Sequence, residues 1–211
     1  MTFLKDSLPK SLKTARLELE LFNYSYEHYK CLLAAMNSPT AHAQMGDYGV
    51  RTPQDFDALN RATRVSPSVL TKLSKPVTVD IDLYYIMKLR EVPETGTLIG
   101  GTSIAQRSAR VPPDMGWCVL EDFQGRGYAT EAAKALKQMA QEELGIRELI
   151  SWPGATNASS ISVADKVGFI FGGTSKDENG KEVYVYVLPG TKFEDGTTLS
   201  TFGQNDVQDE G

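Results

Sequence analysis

Cysteine and histidine, the residues that most often build disulfide frameworks and metal centres, are nearly absent: 2 Cys and 2 His among 211 residues. Cys31 and Cys118 could form at most one disulfide. The start, Met1 to Lys10, carries Lys5, Asp6, Pro9 and Lys10 and lacks the apolar stretch of a secretory signal, so both thiols are expected reduced and buried in a cytoplasmic protein. His28 and His42 are the only histidines and, with two cysteines, form no metal-ligand cluster, so no metal is expected. Long apolar runs are also missing. Leu83-Tyr84-Tyr85-Ile86-Met87 falls far short of the ~20 residues that span a bilayer, and no membrane partner is expected. Positive charge is in deficit, with 22 Lys+Arg against 27 Asp+Glu and a net charge of -5. No local basic patch is evident in the sequence, so nucleic acid is not an expected partner. Three motifs are lacking too: the Gly-Lys-Ser/Thr end of a P-loop, the G-x-G-x-x-G dinucleotide fingerprint and the G-x-S-x-G elbow of serine hydrolases. Asn23-Tyr24-Ser25 and Asn157-Ala158-Ser159 match the glycosylation pattern, but a chain outside the secretory pathway leaves them bare.

What is present fits one medium-sized globular domain, with 41% hydrophobic and 23% charged residues. Thr14 to Leu21 alternates apolar and polar residues and reads as a half-buried first strand. Ser25 to Asn37 has Tyr29, Leu32, Leu33 and Met36 at helical spacing, with Pro39 as its stop, and Thr52-Pro53 opens a second helix. Ser38 to Arg51 between them, with Pro39, Gly46 and Gly49, reads as a loop facing either a ligand or solvent. Val77 to Leu89, Thr97 to Ala105 and Asp114 to Leu120 read as an antiparallel meander. A strong helix, Ala129 to Leu144, ends at Gly145. A short strand, Leu149 to Trp152, and a helix, Ser159 to Val167 stopped by Gly168, come next. Phe169 to Thr174 and Lys181 to Leu188 then flank the hairpin turn Asp177-Glu178-Asn179-Gly180. This order predicts an α/β (α+β) fold with a single domain over 14–188, an N-terminal extension over 1–13 and a C-terminal tail over 189–211, disordered or draped over a neighbour.

Gln124-Gly125-Arg126-Gly127-Tyr128-Ala129 falls where a strand ends and a helix begins. Amides at a helix N-terminus, with glycines that let an anion approach closely, can cradle a pyrophosphate without any lysine ladder. The alternative at these residues alone is a glycine-rich turn without a ligand. Before this loop stands Met115-Gly116-Trp117-Cys118-Val119-Leu120, and after it come Asn157-Ala158-Ser159-Ser160 and Lys166-Val167-Gly168-Phe169. In that order the segments resemble the GCN5-related N-acetyltransferase (GNAT) superfamily, in its RimJ/RimL-like branch. Members pair a Q/R-x-x-G-x-G/A loop with a later N-x-x-S and K-x-G-F. The resemblance is carried by Thr95 to Leu188, and it implies a mixed central sheet of about seven strands, splayed central strands and four helices. It also implies acetyl-CoA as cosubstrate. The pantetheine arm would run along Cys118, Val119 and Leu120, and the pyrophosphate would rest on the amides of Gln124, Gly125, Arg126, Gly127, Tyr128, Ala129 and Thr130. Asn157 and Ser160 would face the cofactor arm, and Trp117 would border the acetyl group or serve as a core aromatic.

The reaction so implied is direct attack of a primary amine on the thioester carbonyl. The resemblance assigns the backbone N–H of Val119 to the developing oxyanion. Asp114, or a water chain, would take the amine's proton, with a solvated strand-end aspartate as the alternative reading. Many members protonate the thiolate with a tyrosine where this chain has Ala164. Ser160 is the substitute, or else a capping residue, and a thiolate is a tolerable leaving group without an acid. Glu121 and Asp122 read as solvated loop charges, and Cys118 as packing. Tyr184 and Tyr186 share one strand face, which lines the acceptor site or covers the surface. The acceptor, a small-molecule amine or a protein N-terminus, would be shaped by the first two helices and by the loops Ser38 to Arg51 and Ala62 to Pro76. A non-catalytic acyl-CoA-binding or sensing module and an enzyme using a longer acyl donor are the competing readings. Either a monomer or a homodimer is compatible with the sequence.

Overall fold

The alternation after Thr14 becomes a strand, Leu17–Leu21, in which Leu17, Leu19 and Leu21 are buried while Glu18 and Glu20 are partly exposed. In this computed structural model, residues 8–72, 81–108, 110–177, 179–194 and 197–200 are described. The strands are β1 (Ser11–Lys13), β2 (Leu17–Leu21), β3 (Leu83–Leu89), β4 (Leu98–Ala105), β5 (Asp114–Val119), β6 (Ile150–Ser151), β7 (Ile170–Asp177), β8 (Glu182–Val187) and β9 (Thr198–Leu199). They form one mixed sheet in the order β1-β2-β3-β4-β5-β6-β8-β7-β9. The expected meander is β3-β4-β5, and the expected hairpin is β7-β8. Of the Val77 to Leu89 expectation, residues 77–80 lie outside the described set, as does Glu178 of the turn.

The helices are α1 (Tyr26–Met36), α2 (Pro39–Met45), α3 (Pro53–Ala62), α4 (Tyr128–Met139) and α5 (Ala158–Val167). The expected count of about seven strands and four helices is thus too low. β1 and β9 are edge additions of three and two residues, too short to show a period. The additional helix, α2, corrects the reading of Ser38 to Arg51 as a loop. The Ser38 hydroxyl accepts from the Ala41 amide and Pro39 occupies the first turn, so the proline that stops α1 starts the next helix. The Ala129 to Leu144 helix is α4 followed by a wider π turn, Ala140–Leu144, which ends at Gly145 with φ 72°.

Two apolar layers hold the sheet. On one face α4 and α5 bury Ala132, Leu136 and Ala164 against Leu17, Leu83, Met87 and Met115. On the other, Leu32 and Phe56 from α1 and α3 pack with Phe22 and Ile86. Each of the buried Leu, Ile, Met and Phe side chains among them contributes roughly 1.5–3 kcal/mol of burial. The C-terminal segment lays Phe193 and Leu199 against Val111, Ile150, Val183, Val185 and Val187. Within β4, Gly100 has φ 150°, and a Cβ there would stand 2.1 Å from the Cys118 carbonyl oxygen. Only glycine lets β4 approach β5 so closely.

Candidate active site

β5 and β6 begin parallel, with Asp114 opposite Ile150 and the Ile150 N–H donating to the Pro113 carbonyl at 3.0 Å. Among the described residues they pair nowhere else, so the sheet opens beyond that point. On its other edge β5 is fully paired. The Leu120 N–H reaches the Ile99 carbonyl at 2.8 Å, and Cys118 and Gly116 lie opposite Gly101 and Ser103. Antiparallel alternation therefore turns the amides of Trp117 and Val119 away from β4 and into the opening. The Val119 carbonyl on that side already accepts from Gln124 Nε2 at 2.9 Å, which fixes the loop to the strand.

A cavity of about 330 Å³ fills the opening. Its wall includes Cys118, Val119, Gln124, Gly125, Gly127, Tyr128, Ala129, Thr130, Asn157 and Ser160, together with Trp117. The fold thus gathers these sequence candidates around one space. Leu120 and Arg126 are not in its wall. Leu120 begins the 3-10 turn Glu121–Phe123, while Arg126 lies over the Phe123 ring at 5.3 Å and donates to the Asp122 carbonyl. At the start of α4, Gly125 and Gly127 have φ 73° and 83°, and no side chain caps the helix. The first-turn amides, with the helix dipole behind them, are the natural seat for an anion. Lys166 from α5 stands in the same wall.

The loop is anchored from the far edge of the sheet. Glu131 accepts from the Thr14 hydroxyl at 2.5 Å, from the Arg16 amide at 2.8 Å and from Arg16 Nε at 2.7 Å. Burial alone would raise the Glu131 carboxyl, but these donors outweigh it and hold it below the usual range. Arg16 also donates to the Arg126 carbonyl at 2.9 Å and lies over the Tyr128 ring at 4.6 Å. Asn157 is occupied as the cap of α5. Its Oδ1 accepts from the Ser160 amide at 3.0 Å, and its Nδ2 donates to the Gln44 carbonyl at 3.2 Å. Burial pushes the Cys118 thiol up to about 11 and, with help from Cys118, the Cys31 thiol to about 12. Neither is a thiolate near neutral pH.

A smaller cavity of about 120 Å³ adjoins the first and shares Gln44, Met45, Trp117, Asn157 and Ser160 with it. Asp114 lies in this second wall and is only 5% exposed. Arg107 grips it through Nε at 2.6 Å and Nη2 at 3.2 Å, and stacks over Trp152 at 4.8 Å. The buried pair replaces the solvated strand-end aspartate that the sequence allowed. Tyr186 and, in part, Tyr184 pack into the α4/α5 core, edge-on to the exposed Phe171 ring, and it is the valine face, through Val183, that reaches the smaller cavity. Glu121 is exposed but not idle: it accepts from the Thr40 amide at 3.1 Å and ties α2 to the end of β5.

Sequence reasoning missed α2 as a wall of the site, although Ser38-Pro39 carries a helix-start signal. It also missed Arg107, which no local pattern marks. Thr14 and Arg16 fell in the segment read as the first strand but had no role until Glu131 was placed beside them.

The profile of acetyltransferase (GNAT) domains matches residues 16–170, well over half of the chain. The chain belongs to the GNAT acetyltransferase family. A comparison with curated proteins finds no significant match. Among solved structures, an acetyltransferase from Agrobacterium tumefaciens is similar at 23% identity and TM-score 0.62, over 85% of this chain and 94% of that one. The ribosomal L7/L12 alpha-N-protein acetyltransferase RimL, solved with coenzyme A, is similar at 17% identity and TM-score 0.58, over 84% and 96%. The microcin C7 self-immunity acetyltransferase MccE, solved with acetyl-CoA and AMP, is similar at 18% identity and TM-score 0.60, over 85% and 96%. Such identities establish a shared GNAT fold. Among the described residues, no helix is long and apolar enough to cross a membrane.

Proposed function

We propose that this GNAT protein is an acetyl-CoA-dependent N-acetyltransferase of RimJ/RimL-like type, acting by direct attack of a primary amine. The supporting observation is the joint presence, in one cavity, of the uncapped α4 N-terminus and the outward-facing Val119 amide. Acetyl-CoA would supply the activated acetyl group. The amides from Gly125 to Thr130 bind the pyrophosphate, with Lys166 adding charge nearby. The Val119 N–H, preorganised by the β4 register, donates to the carbonyl oxygen as negative charge develops there. The amine enters by the smaller cavity, where the carboxylate of Asp114 draws in an ammonium group and takes its proton directly or through water. Arg107 occupies two of the four lone-pair sites of that carboxylate and leaves the others for the incoming amine. Ser160, which lies in both walls, hands a proton to the departing thiolate.

The test is thiol release from acetyl-CoA by purified protein, with polyamines, aryl and alkyl amines, amino acids and short peptides bearing free N-termini. Release with one class establishes the transfer and names the acceptor. No release from protein that binds acetyl-CoA overturns it in favour of a non-catalytic acyl-CoA-binding module.

A further inference from the structure

A third cavity, of about 450 Å³, shares no wall residue with the two already described. It is built from the turn Pro67–Val69, the chain ahead of β5, the loop after the π turn, and Lys192. Three cations from distant parts of the sequence, Arg110, Arg147 and Lys192, meet there against one carboxylate, Glu148. None of the three cationic side chains has a hydrogen-bond or ion-pair partner among the described residues. This local excess of positive charge stands in a chain whose net charge is -5.

A second observation is independent of those charges. Gln106 is only 8% exposed and lies in the same wall. Its Oε1 accepts from the Ser66 amide at 2.9 Å, which fixes the orientation of the side chain. Its Nε2 has no described partner, yet among buried side-chain polar atoms only Asn60 Oδ1 is fully occluded without one. The Gln106 amide donor is thus accessible, on a residue that lines the cavity. An accessible donor held in a fixed orientation is available to an acceptor that enters the cavity. Guanidinium, ammonium and amide N–H groups donate and do not accept, so the complementary ligand is rich in acceptor oxygens and negatively charged.

We infer that this cavity is a second binding site, separate from acetyl transfer, for a small polyanion bearing phosphate or several carboxylates. Pyrophosphate and citrate, titrated calorimetrically into protein saturated with coenzyme A, test it, because the α4 amides are then filled. Should coenzyme A not bind, the same titration into the Gly127→Glu protein serves, so that failure of the transfer reading does not decide this one. Saturable binding of at least one probe is expected, and the stronger probe identifies the ligand chemistry. Binding should weaken at least tenfold in Arg147→Gln/Lys192→Gln and in Gln106→Leu, and it should fall with added salt. The two exposed cations can be replaced without touching the core, and an unchanged melting temperature checks folding. Absence of saturable binding by both probes overturns the assignment, as does binding that the variants leave intact.

Discussion

Replacing Gly100 by alanine isolates the contact that positions β5. At φ 150° an alanine is strained, by roughly 1–3 kcal/mol. Its Cβ would stand 2.1 Å from the Cys118 carbonyl oxygen and 2.9 Å from Val119 Cα, both backbone atoms. Relieving that overlap costs about 1–3 kcal/mol more by the usual scale of overpacking. The sum, roughly 2–6 kcal/mol, corresponds to a fall in melting temperature of about 5–20 °C for a chain of this size. Gly101→Ala is the matched control. There the nearest atom, 2.6 Å away, is the end of the Leu32 side chain, which can rotate aside. Thermal unfolding of both variants beside the parent chain measures the difference, and Gly100→Ala should fall by at least twice as much. Displacement of Cys118 and Val119 should also weaken acetyl-CoA binding, measured below the variant's transition. A Gly100→Ala protein melting within about 2 °C of the parent, or less affected than Gly101→Ala, refutes the reasoning.

Gly127→Glu puts bulk and negative charge where the pyrophosphate should rest, and calorimetry should detect no acetyl-CoA binding; unchanged affinity would remove the phosphate from the α4 terminus. Arg16→Ala breaks contacts to Glu131, Arg126 and Tyr128, and should lower stability by about 1 kcal/mol, since the guanidinium is partly exposed, and loosen acetyl-CoA several-fold. Because the Glu131 carboxyl lies below its ordinary value when folded, it stabilises the fold above about pH 4.5, and that stability drains away as pH falls through the depressed folded value. Melting temperatures between pH 7 and 3 should drop less steeply in Glu131→Gln than in the parent. Asp114→Asn should lower turnover more than acetyl-CoA affinity and Ser160→Ala should do so mildly; parental turnover in either case removes that residue from the mechanism.

Elements with a repeating pattern were legible in the sequence: the β3-β4-β5 meander, α4, α5 and the β7-β8 hairpin follow the periodicities of their residues. β1 and β9 have too few residues to repeat anything and owe their form to the strands beside them. α2 was hidden because one proline both ends a helix and begins another. At the site, the glycines of the α4 loop announced themselves through backbone requirements that act locally. The grip of Arg107 on Asp114 spans a turn and depends on Trp152 arriving from another strand connection, so no local pattern carries it. The third cavity is the extreme case, since Arg110, Arg147 and Lys192 are neighbours only after folding.

The order β6-β8-β7 sets a schedule for synthesis. β1 through β5 neighbour one another in nearly sequential order, and their pairing is complete once Val119 has emerged. β6 must wait, because the strand that flanks it opposite β5 is β8, which ends at Val187. The diverging side of the cavity of about 330 Å³ therefore takes shape only after β8 has been made. Nascent chains stalled before Val187 should be cut by protease after Ile150 while their first five strands resist it.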